Sequence, residues 1–227
     1  MLRETYGMDL SVEVFWDSNR QCTFAEYLAP DELVAYLRQT AADRIGAEGL
    51  FCAKVMGHHL NATLAALRGA SGFRQLSDYQ RLQAVFPKPR LIYLSRLDKL
   101  RQGISFARAK QTNVLHKYLD GRLYTRSGLP ALEARYDYDL ILSCIERVSE
   151  GERIWERFFA KNRLTPLRLT YEVLCTDPRL AIEQVLRAVG QDSVQDRHLR
   201  TVVQKLADET TEDWVARFCA DEAARAG

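Results

Sequence analysis

Short apolar runs mark the candidate strands of this chain. Each of the three clearest runs has a Gly or Pro within the two residues before it, which is typical of strands buried on both faces. These runs predict strands at residues 50–56, 91–95 and 167–171. A fourth run at residues 11–16 is shorter and fits an ordered loop as well as a strand.

Apolar residues at helical spacing predict five helices around these runs. The predicted helices cover residues 31–45, 79–86, 98–111, 138–160 and 178–189. Ser77 is a typical N-cap for the second helix, while Pro178 and Gly190 suit the first turn and the end of the last.

The alternation of strands and helices favours an α/β fold, in which helices cover both faces of a parallel sheet. A length of 227 residues suits one large domain, so a single domain over residues 1–227 is predicted. Such sheets bind ligands at the carboxyl ends of their strands. Residues that follow a predicted strand are therefore the first candidates for a site.

Charge and composition narrow the function classes. The 32 Lys and Arg residues nearly balance the 30 Asp and Glu residues, which argues against general nucleic-acid binding. No apolar run approaches the roughly 18 residues of a membrane span. Arg3, Glu4 and Asp9 stand where a signal peptide would be apolar. A cytoplasmic protein that does not span a membrane is expected.

The five cysteines are widely spaced and form no CxxC pair, which favours reduced thiols over disulfides or zinc. The adjacent His58 and His59 have no Cys, Asp or Glu at ligand spacing, so no metal site is expected.

The stretch from 92 to 112 holds the first candidate anion site. Arg96 follows the predicted strand at 91–95, and Ser105 lies nine residues later on the next helix. A guanidinium and a hydroxyl can bind one phosphate together. A solvated loop charge at Arg96 is the more common alternative.

Six collinear segments carry a family resemblance. They include FAEYL, GLFCAKVMGHHL and the stretch just described, followed by residues 136–159, 166–178 and 210–218. Together these segments resemble the bacterial carbohydrate sulfotransferases typified by trehalose 2-sulfotransferase, which implies a P-loop-like sulfotransferase fold.

The resemblance implies transfer of a sulfuryl group from 3′-phosphoadenosine-5′-phosphosulfate (PAPS) to a sugar hydroxyl, without a metal. Arg96 and Ser105 would bind the 3′-phosphate. Glu26 would act as general base, with a pKa raised by desolvation beside Phe24 and Tyr27. The alternative for Glu26 is a surface carboxylate just before a helix.

Four further residues are candidates for the same site: the resemblance suggests roles for Lys54 and Tyr171, and the place of His58 and His59 just after the Lys54 strand suggests theirs. Lys54, placed in an apolar strand where an unpaired ammonium is costly, would contact the transferring sulfate or else point to water from an edge strand. Tyr171 would contact the adenosine. His58 and His59, facing opposite ways on a strand, would present one imidazole to a carbohydrate or glycolipid acceptor. Gly57 stands where the family has an aromatic residue, which implies an acceptor pocket unlike that for trehalose.

The family should begin with a strand and an Arg-Ser-Gly-Ser-Thr type loop that binds the 5′-phosphosulfate, and no such loop occurs in the sequence. The chain is therefore expected to be N-terminally truncated and catalytically silent as written. One explanation is a start codon assigned too far downstream of an intact enzyme. The alternative is a truncated or degenerate relative that at most binds nucleotide, 3′-phosphoadenosine-5′-phosphate (PAP) or a partner. The oligomeric state stays open, a homodimer being one option.

Overall fold

The computed structural model describes residues 15–17, 20, 22–46, 49–125, 128–191, 203–204 and 208–227. The chain divides into unit 1, Met1–Ser95 with Gly151–Leu199, and unit 2, Arg96–Glu150 with Arg200–Gly227. The single domain over 1–227 stays a prediction. Among the described helices, none is long and apolar enough to cross a membrane. Arg3, Glu4, Asp9 and most of the predicted element at 11–16 lie outside the described residues.

The described elements follow one another along the chain in this order: β1 (Trp16–Asp17), β2 (Cys22–Thr23), a 3-10 helix (Phe24–Glu26), α1 (Pro30–Asp43), α2 (Gly57–Arg68), α3 (Asp78–Val85), β3 (Ile92–Ser95), α4 (Lys99–Thr112), β4 (Val114–Tyr118), β5 (Leu123–Thr125), α5 (Tyr138–Asn162), β6 (Leu167–Thr170), α6 (Tyr171–Thr176), α7 (Pro178–Val189), β7 (Val203–Gln204) and α8 (Glu209–Ala226).

A parallel strand pair in unit 1 confirms the predicted fold class. Strands β3 and β6 run side by side from the Ile92–Leu167 pair to the Ser95–Thr170 pair, and helices flank them. Burial of this pair on both faces was wrong: Leu169 is buried, whereas Leu94 on β3 is 54% exposed. The strands therefore alternate between buried and exposed positions.

The strand predicted at 50–56 does not form. The backbone there has no strand assignment and leads into α2, a helix that the sequence pattern did not predict. The apolar side chains pack on a helical core instead, with the Phe51 and Phe86 rings stacked at 5.8 Å. Trp155 Nε1 donates to the Val55 carbonyl oxygen at 3.2 Å, so a side chain takes the place of a neighbouring strand.

The five predicted helices are confirmed; the boundaries of the last agree with the prediction, and those of the others differ by at most two residues. Ser77 caps α3: its Oγ accepts from Gln80 N at 3.2 Å, and its own N–H donates to Gln80 Oε1 at 2.8 Å. Gly190 ends α7 with φ of 75°, in the left-handed region that favours glycine. The residues that cap these helices therefore predicted the helix ends correctly.

Unit 2 contains an antiparallel sheet of order β5-β4-β7, which the sequence analysis did not predict. The β4–β5 connection contains Asp120-Gly121, and Gly121 has φ of 85°; this pair is a hairpin signal. A hydrophobic core in this unit is built from α4, α5 and α8, and its buried residues are Ile104, Ala107, Tyr138, Ile141, Cys144, Trp214 and Phe218. Cys144 is a free thiol in this core, where cysteine packs as a small apolar residue.

Candidate functional site

Glu26 ends the 3-10 helix as an exposed residue whose carboxylate is already hydrogen-bonded. Its Oε1 accepts from the Thr23 backbone N at 2.7 Å and from Thr23 Oγ1 at 2.8 Å. These bonds lower the pKa of Glu26, the backbone bond most; burial opposes them more weakly, and the charge of His59 adds to the lowering. The expectation of a raised pKa was therefore wrong, because hydrogen bonds to the charged form outweigh desolvation.

The two histidines lie in the first turn of α2, not on a strand. Their rings contact each other, with centroids 4.2 Å apart and planes at 74°, so the prediction that they face opposite ways was wrong. His59 is buried and His58 is half-buried. Because α2 packs against the 3-10 helix, the fold brings His59 and Glu26 into one region.

A glycine contact that the sequence analysis missed fixes the start of α2. A Cβ atom added at Gly57 would stand 2.1 Å from the carbonyl oxygen of Gly151 on α5. Only glycine permits this approach of two backbones. The signal in the sequence was Gly57 itself, directly before the histidine pair.

Lys54 is exposed, and it lies in the segment at 50–56, which forms no strand. The prediction of a lysine within an apolar strand was therefore wrong, and the cost of burying an ammonium does not apply. The next residue, Val55, is held by Trp155, so the backbone beside Lys54 is tied to α5.

Tyr171 directly follows β6 as the first residue of α6, and its side chain is half-buried. The predicted strand thus ends one residue early, because Thr170 caps α6 by accepting from Val173 N at 3.3 Å. Tyr171 keeps its place just beyond the carboxyl end of a parallel strand.

Arg96 and Ser105 belong to unit 2. Arg96 lies in the connection that follows β3 along the chain and is half-buried, and Lys99 Nζ donates to its carbonyl oxygen. The charge of Arg96 also acts on Asp98. Burial raises the pKa of Asp98, but hydrogen bonds from Arg101 and the charges of Arg101 and Arg96 outweigh burial, so the pKa is lowered overall. Ser105 is exposed on α4, about 9 Å along the helix axis from its first residue.

Helix α4, which carries Ser105, is anchored on two sides within unit 2. A Cβ at Gly103 would stand 2.3 Å from Ile145 Cγ1 on α5. On another side, Arg101 binds Glu212 at 2.5 Å and Arg108 binds Asp208 at 2.6 Å, both at the start of α8. The helix is therefore held by one close contact and two ion pairs.

Across the described ranges, no group of three or more His, Cys, Asp or Glu residues is placed to hold a metal ion.

Comparison with known proteins identifies relatives over most of the chain. The family model for Stf0 sulphotransferase matches residues 16–221. The trehalose 2-sulfotransferase of Mycobacterium tuberculosis is 28% identical over 140 residues, covering 62% of this chain and 49% of that protein. The enzyme of the same name from Mycolicibacterium smegmatis is 29% identical over 135 residues, covering 59% of this chain and 46% of that protein. The chain thus spans about half the length of the curated relatives it matches.

Proposed function

The chain belongs to the Stf0 sulphotransferase family, and we propose that it transfers a sulfuryl group from PAPS to a hydroxyl of a carbohydrate or glycolipid. The family match over residues 16–221 carries this proposal. The trehalose named in the two relatives suggests the chemical class of the acceptor.

The donor set around α4 suits a phosphate. Arg96 supplies a half-buried guanidinium and Ser105 an exposed hydroxyl, which are charged and neutral donors for a terminal phosphate oxygen. We assign these two residues to the 3′-phosphate of PAPS and Tyr171 to its adenosine. PAPS supplies the activated sulfuryl group, and PAP is the leaving group.

The proton of the acceptor hydroxyl is assigned to Glu26. Oε1 is engaged by Thr23, so Oε2 is the oxygen that would accept the proton as the acceptor oxygen bonds to sulfur and the bond from sulfur to PAP breaks. A lowered pKa keeps Glu26 charged at neutral pH but makes it a weak base. Its role is therefore to accept the proton while the new bond forms.

The remaining assignments concern charge and orientation. Lys54, an exposed ammonium, would counter the negative charge that develops on the transferring group. His58 and His59 would orient the acceptor, since neutral imidazole both donates and accepts hydrogen bonds.

The test uses radiolabelled PAPS, a panel of sugars and glycolipids that includes trehalose, and two purified proteins: the 227-residue chain, which was expected to be silent, and a form extended by the codons upstream of Met1. Label on a sugar, absent without protein, supports the proposal, and calorimetry with PAP reports the donor site separately. PAP binding without transfer would favour the alternative of a nucleotide-binding relative. If the protein neither binds PAP nor transfers sulfate, both the proposed transferase and the nucleotide-binding alternative are contradicted.

A further inference from the structure

A cavity of about 510 Å³ opens beside the end of α2 in unit 1, among residues that the proposed function does not use. Its lining consists of small residues and two arginines: Ala65, Arg68, Gly69, Ala70, Gly72 and Arg74. Pockets of this volume hold small organic ligands, and small side chains let a ligand approach the backbone.

The loop that forms one wall is held from within. Arg81, only 4% exposed, donates from Nε to the Phe73 carbonyl at 3.1 Å and from Nη2 to the Arg74 carbonyl at 3.3 Å. At the other end of the loop, the Asp31 carboxylate accepts from Ser71 N and Oγ, both at 2.8 Å. The wall is therefore preorganised, which lowers the entropic cost of binding.

The charges near the cavity leave it positive. Asp78 is bound at 2.5 Å by Arg81 and at 2.6 Å by Lys161, and Arg68 approaches it only to 4.0 Å. Arg74 gives its carbonyl to Arg81, and it lines the cavity together with Arg68. The Asp78 carboxylate is thus neutralised mainly by other cations, and the two arginines that line the cavity are both exposed.

The end of α2 does not oppose an anion strongly. Gly69 N donates to the carbonyl oxygens of Ala66 and Leu67, so part of the negative end of the helix is already satisfied. Arg68, in the last turn, adds a positive charge at the same place.

We propose that this cavity binds a ligand with a tetrahedral oxyanion group, phosphate or sulfate, held by Arg68 and Arg74. Guanidinium matches such groups bidentately. The volume exceeds what one ion needs, so an ester of a small organic molecule fits better than the free ion. The site stands apart from the reaction proposed above and does not depend on it.

The experiment titrates ¹⁵N-labelled full chain with inorganic phosphate, inorganic sulfate, glucose 6-phosphate, glucose 6-sulfate and glucose, following the amide signals of residues 68–74. We expect saturable shifts with the oxyanions and none with glucose. Tighter binding of the esters identifies an organic ligand, whereas equal affinities identify the free ion as the source; both outcomes support the oxyanion site.

Variants locate the site. Arg68→Gln and Arg74→Gln should each weaken binding roughly tenfold, since each removes a charge-assisted contact, and Ala65→Leu should weaken ester binding through bulk alone. Arg187→Gln, an exposed arginine on α7, is the matched control, and Arg96→Ala should leave these shifts unchanged. An absence of saturable shifts at residues 68–74, or equal losses in Arg187→Gln and the two arginine variants, would overturn the proposal.

Discussion

Both units use a glycine to bring a helix that carries candidate site residues close to α5, but the two glycines meet different atoms. In unit 1, Gly57 faces the backbone carbonyl of Gly151, which cannot move without moving the helix. In unit 2, the nearest atom to a Cβ at Gly103 is Ile145 Cγ1 at 2.3 Å, which can rotate, and the backbone N and Cα of Ile145 stand farther off at 3.2 and 3.3 Å. We call the contact between Gly57 and Gly151 the fixed stop, because its nearest atoms belong to the backbone. We call the contact between Gly103 and Ile145 the adjustable contact, because its nearest atom belongs to a side chain.

The two units also differ in the polar contacts that hold their candidate site residues. Glu26 in unit 1 is held by two hydrogen bonds from one neighbour, Thr23. Helix α4 in unit 2 is held by the Arg101–Glu212 and Arg108–Asp208 ion pairs, whose carboxylates are at least half exposed. We therefore expect the placement of Glu26 in unit 1 to depend on side-chain volume and shape. The placement of α4, which carries Ser105 in unit 2, should depend on salt and pH.

The largest effect is expected when Glu26 is changed to Gln. The amide oxygen can still accept from Thr23, but it cannot take the acceptor proton, so turnover should fall by roughly 10²-fold or more while PAP affinity stays the same. Sulfuryl-transfer rates and PAP calorimetry measure the two quantities. Glu133→Gln, at an exposed position of unit 2, is the control, and turnover within a factor of about two of the parent would remove Glu26 from the reaction.

The fixed stop is tested by Gly57→Ala. The added Cβ would meet the Gly151 carbonyl at 2.1 Å, so we expect the free energy of unfolding to fall by about 1–3 kcal/mol, as in other overpacked sites. Urea denaturation measures the change. Gly151→Ala is a matched control, because a Cβ there meets no atom within 4 Å and should stabilise α5 by about 0.5–1 kcal/mol. Equal losses in both variants would contradict the contact.

The proposed binding of the PAPS 3′-phosphate is tested by comparing Arg96→Ala with Ser105→Ala. A charge-assisted contact is roughly twice as strong as a neutral one, so Arg96→Ala should weaken PAP binding by about tenfold or more, and Ser105→Ala by less. Calorimetry with PAP measures both affinities. Negligible losses in both variants would remove these residues from the donor site.

The adjustable contact in unit 2 should cost less to disturb. In Gly103→Ala, rotation of Ile145 costs about 0.5–1.5 kcal/mol, and the gain in helix propensity of about 1 kcal/mol offsets most of it. The net change in the free energy of unfolding should therefore stay within about 1 kcal/mol. Destabilisation equal to that of Gly57→Ala would show that the two contacts do not differ.

The sequence was most informative where local chemistry decides the structure. Ser77, Pro178 and Gly190 marked helix ends correctly, and the strands β3 and β6 followed from their apolar runs. The segment at 50–56 failed because a short apolar run fits a strand and a packed extended segment equally well. What separates them is the distant contact from Trp155 to Val55, which no local pattern contains.

The candidate site was only partly predictable for the same reason. Family resemblance supplied Glu26, Arg96 and Ser105, but the direction of the Glu26 pKa depends on Thr23, three residues away, and on a turn that the sequence analysis did not recognise. The histidine pair was assigned to a strand although it lies in α2. This helix begins at Gly57, and a glycine is needed there because the backbone passes close to Gly151, which no local pattern reveals.

The smallest effect is expected at the exposed ion pair between Arg108 and Asp208. Hydrogen bonds from Arg108 contribute most to lowering the pKa of Asp208 to about 2 from an ordinary value near 3.8. Asp208 also caps α8 by accepting from Thr211 N at 3.1 Å, and Asn caps equally well, so Asp208→Asn keeps the cap but removes the charge and one of the two oxygens that accept from Arg108.

Because the folded-state pKa is below the unfolded one, the stabilisation from Asp208 is fully present above about pH 4 and is lost as the pH falls toward 2. The Asp208 side chain is half exposed, so water and salt screen the pair, and we expect a loss of only about 0.3–1 kcal/mol at pH 7 in Asp208→Asn. Urea denaturation at pH 7, 5, 4 and 3 should show the gap between parent and variant unchanged down to about pH 5 and narrowing by pH 3, and 1 M NaCl should narrow it at pH 7. A gap that stays constant to pH 3, or widens there, would show that the ion pair does not hold α8 to α4.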